Sequence, residues 1–222
     1  MRNIQRLAGI GVMAAATLAL AACGGTAAPA SSPAAGAPAA APASAAPAAT
    51  DTGVTTNADV FGPACGQLPQ GDAPGSLNAM GPQPVATAAS TNPLLSTLVT
   101  AVKAVPGLPD TLNNTQGITV FAPYNGAFDA VPKQALQGLL KDTNKLGGLL
   151  SYHVVGRRYD AKGLVAAGET TELAGGNLTI GGTADAPTIT DGQGNTAKVL
   201  CGNIPTSNAT VFVIDRVLMP KS

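Results

Sequence analysis

Residues 117–128 read Gly-Ile-Thr-Val-Phe-Ala-Pro-Tyr-Asn-Gly-Ala-Phe and leave the backbone little choice. Ile118, Val120 and Ala122 alternate with Thr119 and Phe121, so β-branched and aromatic side chains stand on both faces. That period of two predicts a strand covered on both sides. Pro123 must end it, because proline has no N–H for a sheet ladder and holds the preceding residue extended. The chain then has to turn through Tyr124, Asn125 and Gly126. Ala127, Phe128 and Val131 follow at positions where a short helix folds back over the strand.

The rest of the 222-residue chain divides by composition. Arg2 and Arg6 precede an uncharged apolar run from Leu7 to Leu20, too short to span a bilayer, so residues 1–22 read as a secretory signal peptide. The run closes on Leu20-Ala21-Ala22-Cys23, which resembles the bacterial lipobox and makes Cys23 the expected lipidation site. Two acyl chains on Cys23 suffice for stable anchoring where one does not. An outward-facing lipid anchor at the cell surface or envelope is therefore expected. Residues 23–56 are rich in Ala, Pro, Ser, Thr and Gly, with Asp51 as the only charge, and read as a tether without a core of its own. Its reach lies between about 30 Å as a coil and about 100 Å fully extended. Thr50, Thr52, Thr55 and Thr56 are read as ordinary tether residues, with O-linked sugar as the alternative. Twelve basic residues balance twelve acidic ones, which leaves no electrostatic footprint for nucleic acid.

A folded domain is expected over residues 57–222. Asn92-Pro93 signals a helix start, and Leu94, Leu95, Leu98, Val99, Val102 and Val105 form one apolar stripe before Pro106-Gly107 stops it. Pro132 opens a second helical pattern with Ala135, Leu136, Leu139 and Leu140. Asp142 or Thr143 caps a third, whose face is Leu146, Leu149, Leu150, His153 and Val154. Beyond Gly156 come short strand candidates at residues 170–173, 178–180, 188–190 and 197–201. Gly175-Gly176, Gly181-Gly182 and Asp191-Gly192 read as the turns between them, giving an antiparallel meander. Residues 211–214 and 217–219 are nearly continuous apolar runs, as a strand buried on both sides requires. Helices first and strands afterwards indicate an α+β fold.

Three of these stretches together resemble the fasciclin domain family. They are Thr119-Val-Phe-Ala-Pro123 with Asn125-x-Ala-Phe128, then Leu149-Leu-Ser-Tyr-His-Val-Val155, then the closing run from Asn208 to Pro220. Gly126 departs from that family's pattern, in which the position is often acidic. Gly62-Pro63-x-Cys65 ahead of the domain and the Val-Leu-Met-Pro ending are more specifically similar to the mycobacterial secreted and lipid-anchored members. The resemblance implies a wedge-like β-sandwich with helices packed on one side, and a role in cell-surface adhesion or recognition. It brings no catalytic residues with it.

With Cys23 assigned to lipid, Cys65 and Cys201 remain, and an even remainder in an exported chain favours a disulfide. A metal site is the alternative, but it needs three or four ligands and the chain has one histidine. No glycine motif matches a phosphate or dinucleotide loop, and no G-x-S-x-G is present, so neither cofactor nor enzymatic activity is expected. Ser151 and His153 would point about 200° apart on a helix and cannot form a nucleophile and base. Asp129, Asp160, Glu169 and Glu172 are scattered and read as solvated surface.

Three residues remain as candidate binding groups. Tyr152 lies off the apolar stripe, where its hydroxyl would reach the surface. His153 lies on the stripe, and is read first as a buried residue locking its helix to the loop after Pro123. Asp215 interrupts an apolar strand beside Arg216 and is read first as a strand-end residue bonded to backbone or paired to a cation. The expected function is a non-enzymatic, surface-anchored module that binds a protein or glycan. The competing reading is a carrier holding a small apolar or lipid ligand between helices and sheet.

Overall fold

The computed structural model describes residues 53–221, apart from 132–133, 135–137 and 140. The signal peptide, Cys23, nearly all of the tether and most of the Pro132 helical pattern lie outside the described residues. Strand β1 (Ile118–Pro123) is buried at every position, as its two-faced alternation demands. It pairs in parallel with β7 (Ala209–Ile214), also buried throughout, with Phe121 opposite Phe212 and Thr119 opposite Thr210. The other strands are β2 (Val154–Val155), β3 (Glu169–Thr171), β4 (Asn177–Thr183), β5 (Ala186–Thr190) and β6 (Thr196–Pro205). One sheet results, in the order β2-β1-β7-β6-β5-β4-β3.

This sheet bends back on itself and so acts as a sandwich. Strand β6 belongs to both halves: its first three residues pair with β5, and the remainder pairs with β7 through two register shifts between Val199 and Ile204. Bulges of this kind turn a strand out of plane. The bend brings the two ends of the sheet together, where Val155 bridges Glu172 and the Leu173 amide donates to the Val154 carbonyl at 2.8 Å. The α+β class and the helix-backed sandwich hold.

Alternation along the two central strands separates two cores. Ile118, Val120 and Ala122 of β1 and Ala209, Val211 and Val213 of β7 pack under the helices. Phe121, Phe212 and Ile214 point the other way, into the space enclosed by the meander. The helices over the first core are α1 (Leu77–Met80), α2 (Val85–Thr91), α3 (Ser96–Ala104), α4 (Leu108–Asn114), α5 (Asn125–Asp129) and α6 (Thr143–Tyr152). Helix α7 (Ala161–Ala167) packs Ala161 and Leu164 into the second.

Local signals place several of these ends. The Asn92 side chain accepts from the Leu94 amide at 3.0 Å, opening a 3-10 turn that runs into α3. Asp142 caps α6 by accepting from Lys145 N–H at 3.2 Å. Other expectations need correction. Helix α5 begins at once after Tyr124, so no separate turn precedes it. Val154 leaves the helix for β2, where it lies opposite Val120 and its carbonyl accepts from the Leu173 amide. Gly181 and Gly182 lie within β4, pairing with Thr188 and Pro187, and the turn comes after Thr183. Residues 217–219 are not a strand, although Val217 and Leu218 are buried. Just ahead of residue 57, the Gly53 carbonyl accepts from Thr210 at 2.7 Å and Thr55 is buried.

Cys65 and Cys201 are joined by a disulfide with 5.1 Å between Cα atoms, which settles the pairing over the metal alternative. The bond secures a stretch that already adds to β6. Phe61 and Gly202 exchange both backbone bonds, and the Ala64 amide donates to the Leu200 carbonyl at 2.9 Å. A side chain at Gly202 would meet the Phe61 ring at 2.4 Å, so glycine permits this close approach.

Candidate functional site

Tyr152 and His153 end α6 and face opposite cores. His153 is 3% exposed. Its Nε2 accepts from the Leu218 amide at 2.9 Å, which places the proton on Nδ1, and that N–H donates to the Leu149 carbonyl at 2.8 Å. The ring is therefore neutral and its tautomer is set by its partners. Burial pushes its pKa down from 6.5 to about 4, against a smaller upward pull from the Leu149 bond and from Asp191. The helix is thus locked to the C-terminal segment. The loop after Pro123 is not its partner, because the buried run 217–218 crosses the end of α6 and presents a free N–H there.

Tyr152 is 2% exposed, so its hydroxyl does not reach the surface. It accepts from the Gly192 amide at 2.7 Å, and burial raises its pKa. The reason is geometric: one residue from the stripe of α6 points into the second core, which the folded sheet encloses. Asp191, beside Gly192, completes the arrangement. One carboxylate oxygen accepts from the amides of Gln193 and Asn195 at 3.0 and 2.8 Å, and the other from Met219 N–H at 2.9 Å. His153 and Asp191 therefore grip neighbouring residues of the same C-terminal segment. Among sequence signals, only the Asp-Gly turn dipeptide pointed to Asp191, and it carried no hint of this second bond.

Asp215 stands apart from this cluster. Its carboxylate accepts from the Lys198 amide at 2.8 Å while its own amide donates to the Lys198 carbonyl, continuing the β6–β7 ladder past β7. Two carboxylates read as solvated are structural. Asp160 caps α7 by accepting from Gly163 N–H at 2.8 Å, and Glu172 is buried and accepts from the amides of Ala174 and Gly176. Asn208 is a further hub that sequence did not reveal. Its amide group donates to the carbonyls of Leu112 and Thr115, both at 2.7 Å, and its oxygen accepts from Val85 N–H at 2.9 Å. One side chain thereby joins the start of α2, the end of α4 and the β6–β7 turn.

An apolar cavity of about 60 Å³ lies between α2, α3, α4, α6 and β1, walled by Val85, Leu98, Val102, Leu112, Leu150 and His153. A second, of about 20 Å³, lies on the other side of Leu98, Leu150 and His153. Among the described residues no cluster of His, Cys, Asp and Glu could hold a metal ion.

Comparison with known proteins places this architecture. The fasciclin domain family matches residues 93–220, a span that takes in β1, α6 and β7. The cell surface glycolipoprotein MPB83 of Mycobacterium bovis is 42% identical over 171 residues, which cover 73% of this chain and 73% of that one. The immunogenic protein MPB70 of the same species is 38% identical over 173 residues, covering 73% and 83%. Among solved structures, a FAS1 domain pair from the insect cell adhesion molecule fasciclin I superposes with a TM-score of 0.50 at 19% identity. That match covers 62% of this chain and 51% of the insect one, and it speaks to the fold. On the extent of the family match and the identity to its mycobacterial relatives, the chain belongs to the fasciclin family.

Proposed function

We propose that this protein is a surface-anchored recognition module, held by lipid on Cys23 and presenting its fasciclin domain to a protein or glycan of the envelope, matrix or host. The observation that carries the reading is the 42% identity to a protein named as a cell surface glycolipoprotein, joined here to a lipobox-like sequence at Cys23. The interior supports it. Tyr152, His153, Asp191 and Asn208 are turned inward and bonded to backbone, so they brace the domain, and recognition falls to its outer surface. In this reading the module binds and does not catalyse.

Anchoring is tested directly. Cells fed labelled palmitate incorporate label into this protein, and Cys23→Ser abolishes the label and releases the protein into the medium. A serine variant that stays in the membrane fraction would show that something other than this cysteine holds it.

A further inference from the structure

Thr119 and Thr210 sit opposite each other on the central strands and hold down the loop between β2 and α7. The Thr119 hydroxyl donates to the Arg157 carbonyl and accepts from the Tyr159 amide, both at 2.8 Å. Thr210 accepts from Arg158 Nε at 3.0 Å and donates to the Gly53 carbonyl at 2.7 Å. Arg158 Nη2 donates to the carbonyls of Thr206 and Ala209 at 3.0 and 2.8 Å. The guanidinium is thus fixed by neutral groups while Nη1 takes no part in these bonds. Half-burial lowers its pKa, and no carboxylate among the described residues lies within ion-pair distance of it.

Arg157 stands beside it, exposed, with its guanidinium 5.3 Å from the Tyr159 ring centre. These residues, with Gly53, Asp160 and Gly163, border an open polar cleft of about 270 Å³. The cleft is just under the roughly 300 Å³ at which pockets for drug-sized ligands begin, a size suited to one small ring. Arginines without an acid partner hold a carboxylate or phosphate by charge-assisted bonds. Asp160 adds an acceptor for hydroxyl groups. It also disfavours phosphate, whose charge at neutral pH approaches about −2.

We propose that this cleft binds an acidic sugar residue of the uronate class, its carboxylate on Arg157 and Arg158 and its hydroxyls on Asp160. The proposal rests on the recognition reading and narrows the partner to a glycan. Titrating the full isotope-labelled chain with glucuronate shifts the amide resonances of residues 157–163, and glucose does not. Arg157→Ala weakens glucuronate binding about tenfold, the loss of one hydrogen bond to a charged group. Its melting temperature and its palmitate labelling stay unchanged, which separates failure of this site from failure of the anchor. Undiminished binding by the alanine variant, or shifts confined to other residues, would overturn the assignment. So would inorganic phosphate binding as tightly as glucuronate. A parent chain that does not bind glucuronate would overturn it as well.

Discussion

A single imidazole joins α6 to the C-terminal segment, and its energetics follow from being neutral and buried. In the unfolded chain it titrates near 6.5, and in the folded chain near 4. Between these values the unfolded state binds a proton that the folded state refuses. The stability His153 contributes is therefore complete above about pH 6.5 and falls as pH drops toward 4, by at most about 3 kcal/mol. Urea unfolding at pH 7 and pH 5 checks this: the native chain loses stability over the interval, and His153→Ala loses less. At pH 7 the alanine variant is less stable by roughly 3 kcal/mol, because the Leu149 carbonyl and Leu218 amide are left unpaired. An identical pH response in both chains would refute the neutral, doubly bonded ring.

Strand β6 is the element on which the N-terminal extension, the meander and the central strands converge. The Cys65–Cys201 bond closes a separation of 136 residues onto it. Chain-entropy reasoning assigns such a loop about 5 kcal/mol, acting mainly through the unfolded state. Phe61 is also held to Gly202 by backbone pairing, so reduction is expected to lower stability without abolishing the fold. The guanidinium midpoint drops on adding reductant, and the Cys65→Ser, Cys201→Ser double variant reproduces the reduced midpoint and ignores reductant. An unshifted midpoint would mean that loop closure contributes nothing. The helices show a different side of the element scale. Helix α3 was legible from its leucine and valine stripe, and α6 from its stripe and Asp142 cap. Helix α2 was not: Val-Ala-Thr-Ala-Ala-Ser-Thr has almost no large apolar side chains, and its position depends on Asn208 and on α4.

At the scale of the molecule, the size of the cavities bears on the carrier alternative. A carrier of lipid would need space several times the approximately 60 Å³ present, so α2, α3 and α4 would have to part from the sheet. Native mass spectrometry of protein taken from its own membrane should show the mass of the lipidated chain and no further ligand. A co-purifying lipid mass would revive the carrier reading. The sequence alone determined the two central strands and the stripes of α3 and α6, outlined the meander with one turn misplaced, and favoured the cysteine pairing, because burial on one or both faces imposes a local period and an exported chain leaves few choices for two thiols. It suggested that His153 is buried but misplaced its partner, and it set Tyr152 at the surface. Only the tertiary structure decided that β1 lies parallel to β7, that the sheet ends meet, and that Tyr152, His153, Asp191 and Asn208 turn inward. Periodicity records how much of a residue is covered, whereas a polar side chain's partner depends on which distant segment returns beside it. No local pattern encodes that return.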